Sequence, residues 1–340
     1  MIKIPSEEQF RGCLVGQALG DALGFVVEGR PPEVCREYAN EVLGRDGGLE
    51  RGRFPVGQYS DDTQLARELL QSYAARGRFD PEDYARRIAA IFSEGRIVGR
   101  GRSTQEAANR LARGVPWDEA GTPPPSAGNG SAMRAGPIGL LFYDDPEGLV
   151  RAAMEQGVIT HADPRCSAGA IAIAGAVALA LRVHPVEPTP FLARLAELSE
   201  EVEPRFAACL RRLTRWLPLP PNEAATRISQ EGLEGESAHG WHGISTFVVS
   251  SVLWSLYSFL KSPDDYREMI RTAIAVGGDV DTTAAMAGAI SGARLGLAAV
   301  PQSLAHRLTD RGTWGLGELI GLADECYKTK QRCLSGKNKR

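Results

Sequence analysis

The chain has 340 residues, 43% of them hydrophobic and 24% charged, with a formal net charge of −3. That composition belongs to a soluble globular protein long enough to bury a core without staples. The charge balance and the lack of a broad basic stripe exclude a nucleic-acid scaffold, so no stable nucleic-acid partner is expected.

Taken in chain order, helical periodicity or unbroken runs of helix formers mark residues 63–76, 81–93, 103–113, 147–159, 167–181 and 187–202, then 244–259, 263–276, 282–295 and 301–311. Strand alternation is hard to find, so the expected class is all-α. Two of these segments, 168–180 and 284–296, are dense in Ala and Gly, which allow close backbone approach and suit the middle of a bundle. The apolar stretch 167–183 is short and Ala/Gly-dominated, so it reads as a buried helix and not as a membrane span. Gly/Pro-rich loops separate the helices at 44–57, 97–102, 121–130 and 217–221; loops of that kind in a compact domain are functional or disordered. With no repeat and no long linker, residues 1–327 read as one domain and the basic run 328–340 as a solvated tail. Six scattered cysteines without CxxC spacing, and no signal peptide, read as reduced thiols in a cytoplasmic protein, expected to be a monomer.

Chemistry concentrates in two oxygen-only clusters near opposite ends of the chain, Ser60-Asp61-Asp62-Thr63 and Asp279-Val280-Asp281-Thr282-Thr283. Carboxylates and hydroxyls with no His or Cys nearby are the ligands hard divalent cations prefer. Each cluster also opens a helix after a Gly-containing approach, so each is open to a plain helix-cap reading. The second matches the DxDx[TV] nucleophile motif of haloacid-dehalogenase-like phosphatases, but that motif belongs at the end of a first strand, with most of the domain after it. Adjacent aspartates repel unless a cation sits among them, and the occurrence of two such clusters favours metal.

Other segments carry weaker signals. Glu28, alone, reads as a solvated surface charge, and Asp21 as a buried partner for an arginine or a backbone amide. Gly99-Arg100-Gly101-Arg102-Ser103-Thr104 fits neither nucleotide fingerprint, yet its glycines, arginines and following helix N-terminus form an anion cradle. Gly128-Asn129-Gly130-Ser131-Ala132-Met133-Arg134 offers similar chemistry. His161 reads as a local hydrogen-bonding residue; His239 and His242 flank Trp241 and could line a pocket, without the partners zinc requires.

In this order, the segments resemble the ADP-ribosylglycohydrolase family. The resemblance runs from Glu8 to Leu297 through residues 12–24, Ser60 to Thr63, Gly99 to Thr104, Gly128 to Arg134, Thr160-His161 and Gly277 to Thr282. It implies a compact orthogonal multi-helix bundle with a central site for two divalent cations, Mg²⁺ or Mn²⁺. It further implies Ser60, Asp61, Asp62, Asp279, Asp281 and Thr282 as metal ligands. Glu28 matches an acidic residue that closes over the metals and substrate. Gly99, Gly101, Arg102 and Ser103 match a cradle for the diphosphate and distal ribose; Gly128, Asn129, Gly130, Ser131 and His161 match the ADP-ribose cleft. Ser60 departs from the commoner Thr but keeps a hydroxyl.

The resemblance also implies the activity: metal-dependent hydrolysis of the glycosidic bond between ADP-ribose and a protein or small-molecule acceptor. Asp61 or Asp62 would then orient or deprotonate water, with Glu28 in gating or proton transfer. Arginine is the expected acceptor, with serine- or nucleobase-linked ADP-ribose, or a non-catalytic ADP-ribose binder, as alternatives.

Overall fold

The computed structural model describes residues 4–45, 51–233 and 241–337. Among these residues run sixteen α-helices and no β-strand, only isolated bridges. The first eight helices are α1 (Glu7–Phe25), α2 (Pro32–Arg45), α3 (Asp61–Arg76), α4 (Pro81–Ser93), α5 (Arg102–Ala112), α6 (Gly136–Leu141), α7 (Pro146–Val158) and α8 (Pro164–Ala180). They are followed by α9 (Pro188–Ser199), α10 (Pro204–Arg212), α11 (Pro221–Ile228), α12 (Val248–Lys261), α13 (Tyr266–Ile274), α14 (Val280–Leu295), α15 (Gln302–Ala305) and α16 (Leu316–Lys337). No helix among the described residues is long and apolar enough to cross a membrane.

The centre of the bundle is the antiparallel pair α1 and α14. Gly12, Gly16, Gly20 and Gly24 recur every fourth residue, which places them on one face of α1. A Cβ at Gly12, Gly16 or Gly20 would lie 2.4, 2.5 or 2.2 Å from the carbonyl oxygens of Gly292, Gly288 and Ala284; one at Gly24 would lie 2.4 Å from the Asp281 Cα. The helices therefore meet backbone to backbone, and the Tyr266 hydroxyl donates to Gly16 O at 2.6 Å beside the contact. Nearly every residue of both is buried. Around this pair, α12, α13 and α8 pack against α14, while α16 and α3 cover α1. Both Ala-rich helices, α8 and α14, occupy the interior, as their composition suggests.

Nine of the ten helical segments read from the sequence are present, with shifted ends, but several helices lack a legible signal. The most important, α1, has no polar face and hence no amphipathic period. The segment 301–311 forms only the four-residue α15, because the chain then turns away. Thr309 N–H donates to Gly57 O at 3.1 Å, and Asp310 pairs with the buried Arg67 at 2.8 Å. The basic run that begins at Lys328 is not a frayed end through its first part: α16 continues to Lys337, and Lys330 is buried against Asp144.

The α1–α14 contact gives a direct test. Gly16→Ala should cost about 1–3 kcal/mol of stability, since the added methyl meets backbone that cannot rotate away. Urea unfolding of the two proteins measures it, and an unchanged midpoint would contradict the packing.

Candidate functional site

Asp21, fully buried on α1, builds one half of the site. Its Oδ1 accepts the Ser60 N–H at 2.9 Å; its Oδ2 accepts the Thr63 N–H at 3.0 Å and the Thr63 hydroxyl at 2.6 Å. These bonds fix the first turn of α3 against α1. Ser60 caps that helix, its Oγ accepting the Asp62 N–H at 3.3 Å and lying 3.0 Å from Asp62 Oδ2, to which it can donate. The cap reading therefore holds for Ser60, and Asp61 and Asp62 are left free to face inward.

The second half comes from the loop before α14. Gly277 and Gly278 have φ of +74° and +94°, and a Cβ on Gly278 would sit 2.0 Å from Ile244 O. This tight approach lets Asp279 N–H donate to Ile244 O at 2.7 Å and Gly29 N–H donate to Gly278 O at 2.9 Å. The latter bond holds the α1–α2 turn, and with it Glu28, against the acidic loop. Asp279 stands at the cap position of α14 but its carboxylate does not cap; it accepts from Asn129 Nδ2 at 2.5 Å.

The two clusters meet. Thr282 Oγ1 donates to Asp62 Oδ2 at 3.4 Å, across 220 residues of chain. Carboxylate oxygens of Glu28, Asp279 and Asp281 all lie within 4.8 Å of one another. Burial above all, with the neighbouring acids next, pushes Asp61, Asp62 and Asp281 well above the usual carboxylate range. Asp279 is pushed up to about 6 by burial and by Glu28, and Asp21 to about 6 by burial.

The residues fit divalent cations on two observations. Asp62 Oδ1 is buried and has no hydrogen-bond partner, an acceptor without a donor at the meeting point of the clusters. The facing donors are oxygen only, and repulsion among close carboxylates falls when a cation lies between them. Glu28 joins Asp279 and Asp281 in this cluster, a role its isolated position in the sequence did not suggest. Its other contact is Arg51, whose guanidinium pairs with Glu28 Oε2 at 2.8 Å and covers the Phe25 ring at 4.0 Å.

The acids form one end of a cleft of about 590 Å³. The loop Gly99 to Thr104 lines it beside Asp61. No side chain caps α5, and Gln105 is the first residue whose N–H donates back into the helix, to Gly101 O at 3.0 Å. The amides of Arg102, Ser103 and Thr104, residues that line the cleft, have no intrahelical acceptors and stand at the positive end of the helix dipole. Gly99 takes a φ of +72° to bring this loop over Ser60 and Asp61. Arg102 contributes backbone but little side chain: its guanidinium is 93% exposed and pairs with Glu106 on the outer face.

A third wall is Gly128 to Gly130 with His161. A Cβ on Gly130 would fall 2.5 Å from His161 Cε1, so glycine makes room for the imidazole. Ser131 does not face the cleft; its hydroxyl donates to Cys166 O at 2.9 Å and holds the loop to α8. Trp241, Ser245, Thr246 and Phe247 also line the cleft, none of them singled out by a sequence motif as a contact. His242 is exposed outside the cleft, and His239 lies outside the described residues. Gln17 is a further organising residue without a motif signal: its amide donates to Asp62 O and Met133 O, both at 3.1 Å, tying α1 to two walls at once.

The sequence profile described as ADP-ribosylglycohydrolase matches residues 3–334. Bos taurus ADP-ribosylhydrolase ARH3 is 32% identical over 97% of this chain and 95% of its own. The ADP-ribosylarginine hydrolase Tri1 of Pseudomonas putida is 26% identical over 89% of this chain and 78% of its own. A solved structure described as an ADP-ribosylglycohydrolase-related protein complex superposes with a TM-score of 0.70 at 28% identity, covering 95% of this chain and 98% of that one.

The buried acids make stability depend on pH. Asp21 and Asp279 titrate near 6 when folded against an ordinary 3.8, so the folded state holds their protons more tightly. Their contribution is complete below the unfolded value and is lost as pH rises through the folded one. In chelator, the melting temperature should therefore fall between about pH 4 and about pH 7 relative to the cation-loaded protein, and Mn²⁺ or Mg²⁺ should restore it. A pH profile identical with and without cation would refute this.

Proposed function

The chain belongs to the ADP-ribosylglycohydrolase family and is a glycohydrolase, and from this premise we propose that it cleaves the bond joining ADP-ribose to a modified arginine, releasing ADP-ribose intact. The carrying observation is the meeting of the two acid clusters in a cleft that the uncapped start of α5 also lines.

Ser60, Asp61, Asp62, Asp279, Asp281 and Thr282 would hold two divalent cations, Mg²⁺ or Mn²⁺, with Glu28 at the rim of the same cluster. Such ions supply Lewis acidity and lower the pKa of bound water. In the reaction, water oxygen bonds to the anomeric carbon of the ribose. The glycosidic C–N bond breaks, its electron pair leaves with the guanidine, and the transition state has oxocarbenium character.

The chain's own groups then have separable tasks. Asp62 Oδ2 is engaged by Ser60 and Thr282, which leaves the buried Oδ1 as the oxygen without a hydrogen-bond donor. Asp61 and Asp62 are the carboxylates assigned to orient water and take its proton. Glu28, half-buried at the rim, is assigned gating or return of a proton to the leaving group. The free amides of α5 suit the diphosphate, since anions are favoured at a helix N-terminus. Gly128, Asn129 and Gly130 supply a wall without side-chain bulk beside His161, and Asn129 also anchors Asp279.

The arginine acceptor draws on Tri1, whose name states that linkage. It also fits the chemistry, since a guanidine leaves more readily than an alkoxide and asks less of a general acid.

Two experiments test these assignments. Asp62→Ala and Asp279→Ala should each lower release of ADP-ribose by at least about a hundredfold, the scale on which positioned acid–base groups act. Wild-type turnover in a folded variant would refute the site. A panel of arginine-, serine- and nucleobase-linked ADP-ribose, analysed for free ADP-ribose, should show fastest release from arginine. Faster release from another linkage overturns the acceptor, and AMP or inorganic phosphate as product overturns glycosidic cleavage itself.

A further inference from the structure

Behind the His161 wall lies a fully buried cation that makes no carboxylate ion pair among the described residues. Arg134 is 0% exposed. Its Nε donates to Gln156 Oε1 at 2.9 Å, and its Nη2 donates to Gln156 O at 2.8 Å and to Thr160 Oγ1 at 2.7 Å. The guanidinium also stands over the Tyr84 ring at 5.8 Å. Gln156 is held in turn by donating to Ser131 O at 2.8 Å, so the group is anchored to the cleft loop.

Thr160 connects this cation to the histidine. Its Oγ1 lies 2.8 Å from His161 Nδ1. An arginine can only donate, so the Thr160 oxygen is an acceptor toward Arg134. Thr160 is itself fully buried, and the hydroxyl proton has one remaining partner among the described residues, His161 Nδ1. Were Nδ1 protonated instead, the hydroxyl would accept twice and its own proton would be buried without an acceptor. The satisfied arrangement has Nδ1 accepting and the ring proton on Nε2. The backbone on either side of the ring is fixed as well: Thr122 N–H donates to Thr160 O and Ala162 N–H to Thr122 O, both at 2.9 Å.

We propose that Arg134 and Thr160 are positioning residues that lock His161 as the neutral Nε2–H tautomer, so that it presents a fixed hydrogen-bond donor to the ligand in the cleft. His161 is only 3% exposed and lines the cleft, and among the described residues its ring bonds to Thr160 alone. Nε2 is thereby left for an oxygen or nitrogen acceptor on a bound nucleotide sugar. Burial and the Arg134 charge push the imidazole pKa down to about 3, which keeps it neutral through the working range. Arg134 thus acts on the ligand through two intervening side chains and without touching it. The identity of the ligand rests on the function proposed above; the tautomer does not.

The tautomer is read directly from the side-chain ¹⁵N–¹H correlation spectrum of the full chain labelled in histidine, with His161 assigned by His161→Gln. Wild type without ligand should show Nδ1 unprotonated and Nε2 protonated at neutral pH. Thr160→Ser should keep that pattern, whereas Thr160→Val, which retains shape and loses the hydroxyl, should shift the population toward Nδ1–H. Thr160→Val should also weaken free ADP-ribose, measured by calorimetry, by about tenfold, the scale of one hydrogen bond. An Nδ1–H or imidazolium form in wild type overturns the lock, as does an unchanged tautomer in folded Thr160→Val. If Thr160→Val does not fold, the wild-type and Thr160→Ser spectra decide the matter. Failure of wild type to bind ADP-ribose would strike the proposed function and leave the tautomer result standing.

Discussion

Everything at the site depends on how closely α1 approaches α14. Separated by ordinary side chains, two helices sit about 8–10 Å apart. Here four glycines remove the spacer, and Gly24 lies directly on the first turn of α14. Asp21, one turn before it, can then reach across to the start of α3. One contact between helices thereby sets three starting points, those of α3 and α14 and the α1–α2 turn carrying Glu28. A larger residue on this face would move the ends of the acidic cluster relative to each other, even though none of these glycines is itself an acid.

That rigidity explains how so much negative charge is tolerated in one place. Two unit charges about 4 Å apart repel by about 4 kcal/mol at an effective dielectric near 20. Asp61, Asp62, Asp279 and Asp281 are buried together, with Glu28 at their edge. A flexible assembly would relieve the repulsion by swinging them apart. In this fold the backbone hydrogen bonds to Asp21 and Ile244 prevent it, so relief comes from proton uptake or from a cation. Stored repulsion of this kind is the physical form of affinity for divalent ions.

The legible parts of the fold were those with a face or a punctuation mark. Amphipathic helices such as α4 and α5 carry their period openly, and the paired aspartates after glycine announce both clusters. The central helix α1 carries no such period, since a helix buried on every side has no polar stripe to reveal it. Arg102 is the instructive departure. Its flanking position suggested a side chain clasping an anion, yet at a helix start the chain offers amides to the ligand while the side chain points outward to Glu106. Ser131 departs for a related reason, because its hydroxyl is spent on the Cys166 carbonyl. Glu28 could be singled out only by resemblance, since its meeting with Asp279 and Asp281 depends on the Gly29–Gly278 hydrogen bond, which no local pattern encodes.

The cleft sets opposite preferences close together. Carboxylates that favour cations line it, and so do the uncapped amides of α5, which favour anions; Gly99 brings that helix start into contact with Asp61. A diphosphate on those amides would lie beside any cation held by the acids, and that cation would offset its repulsion from the carboxylates. The wall of Gly128 to Gly130 with His161 adds no net charge there. The fold thus joins helix starts at one place, with the glycine contact between α1 and α14 setting the position of the acids.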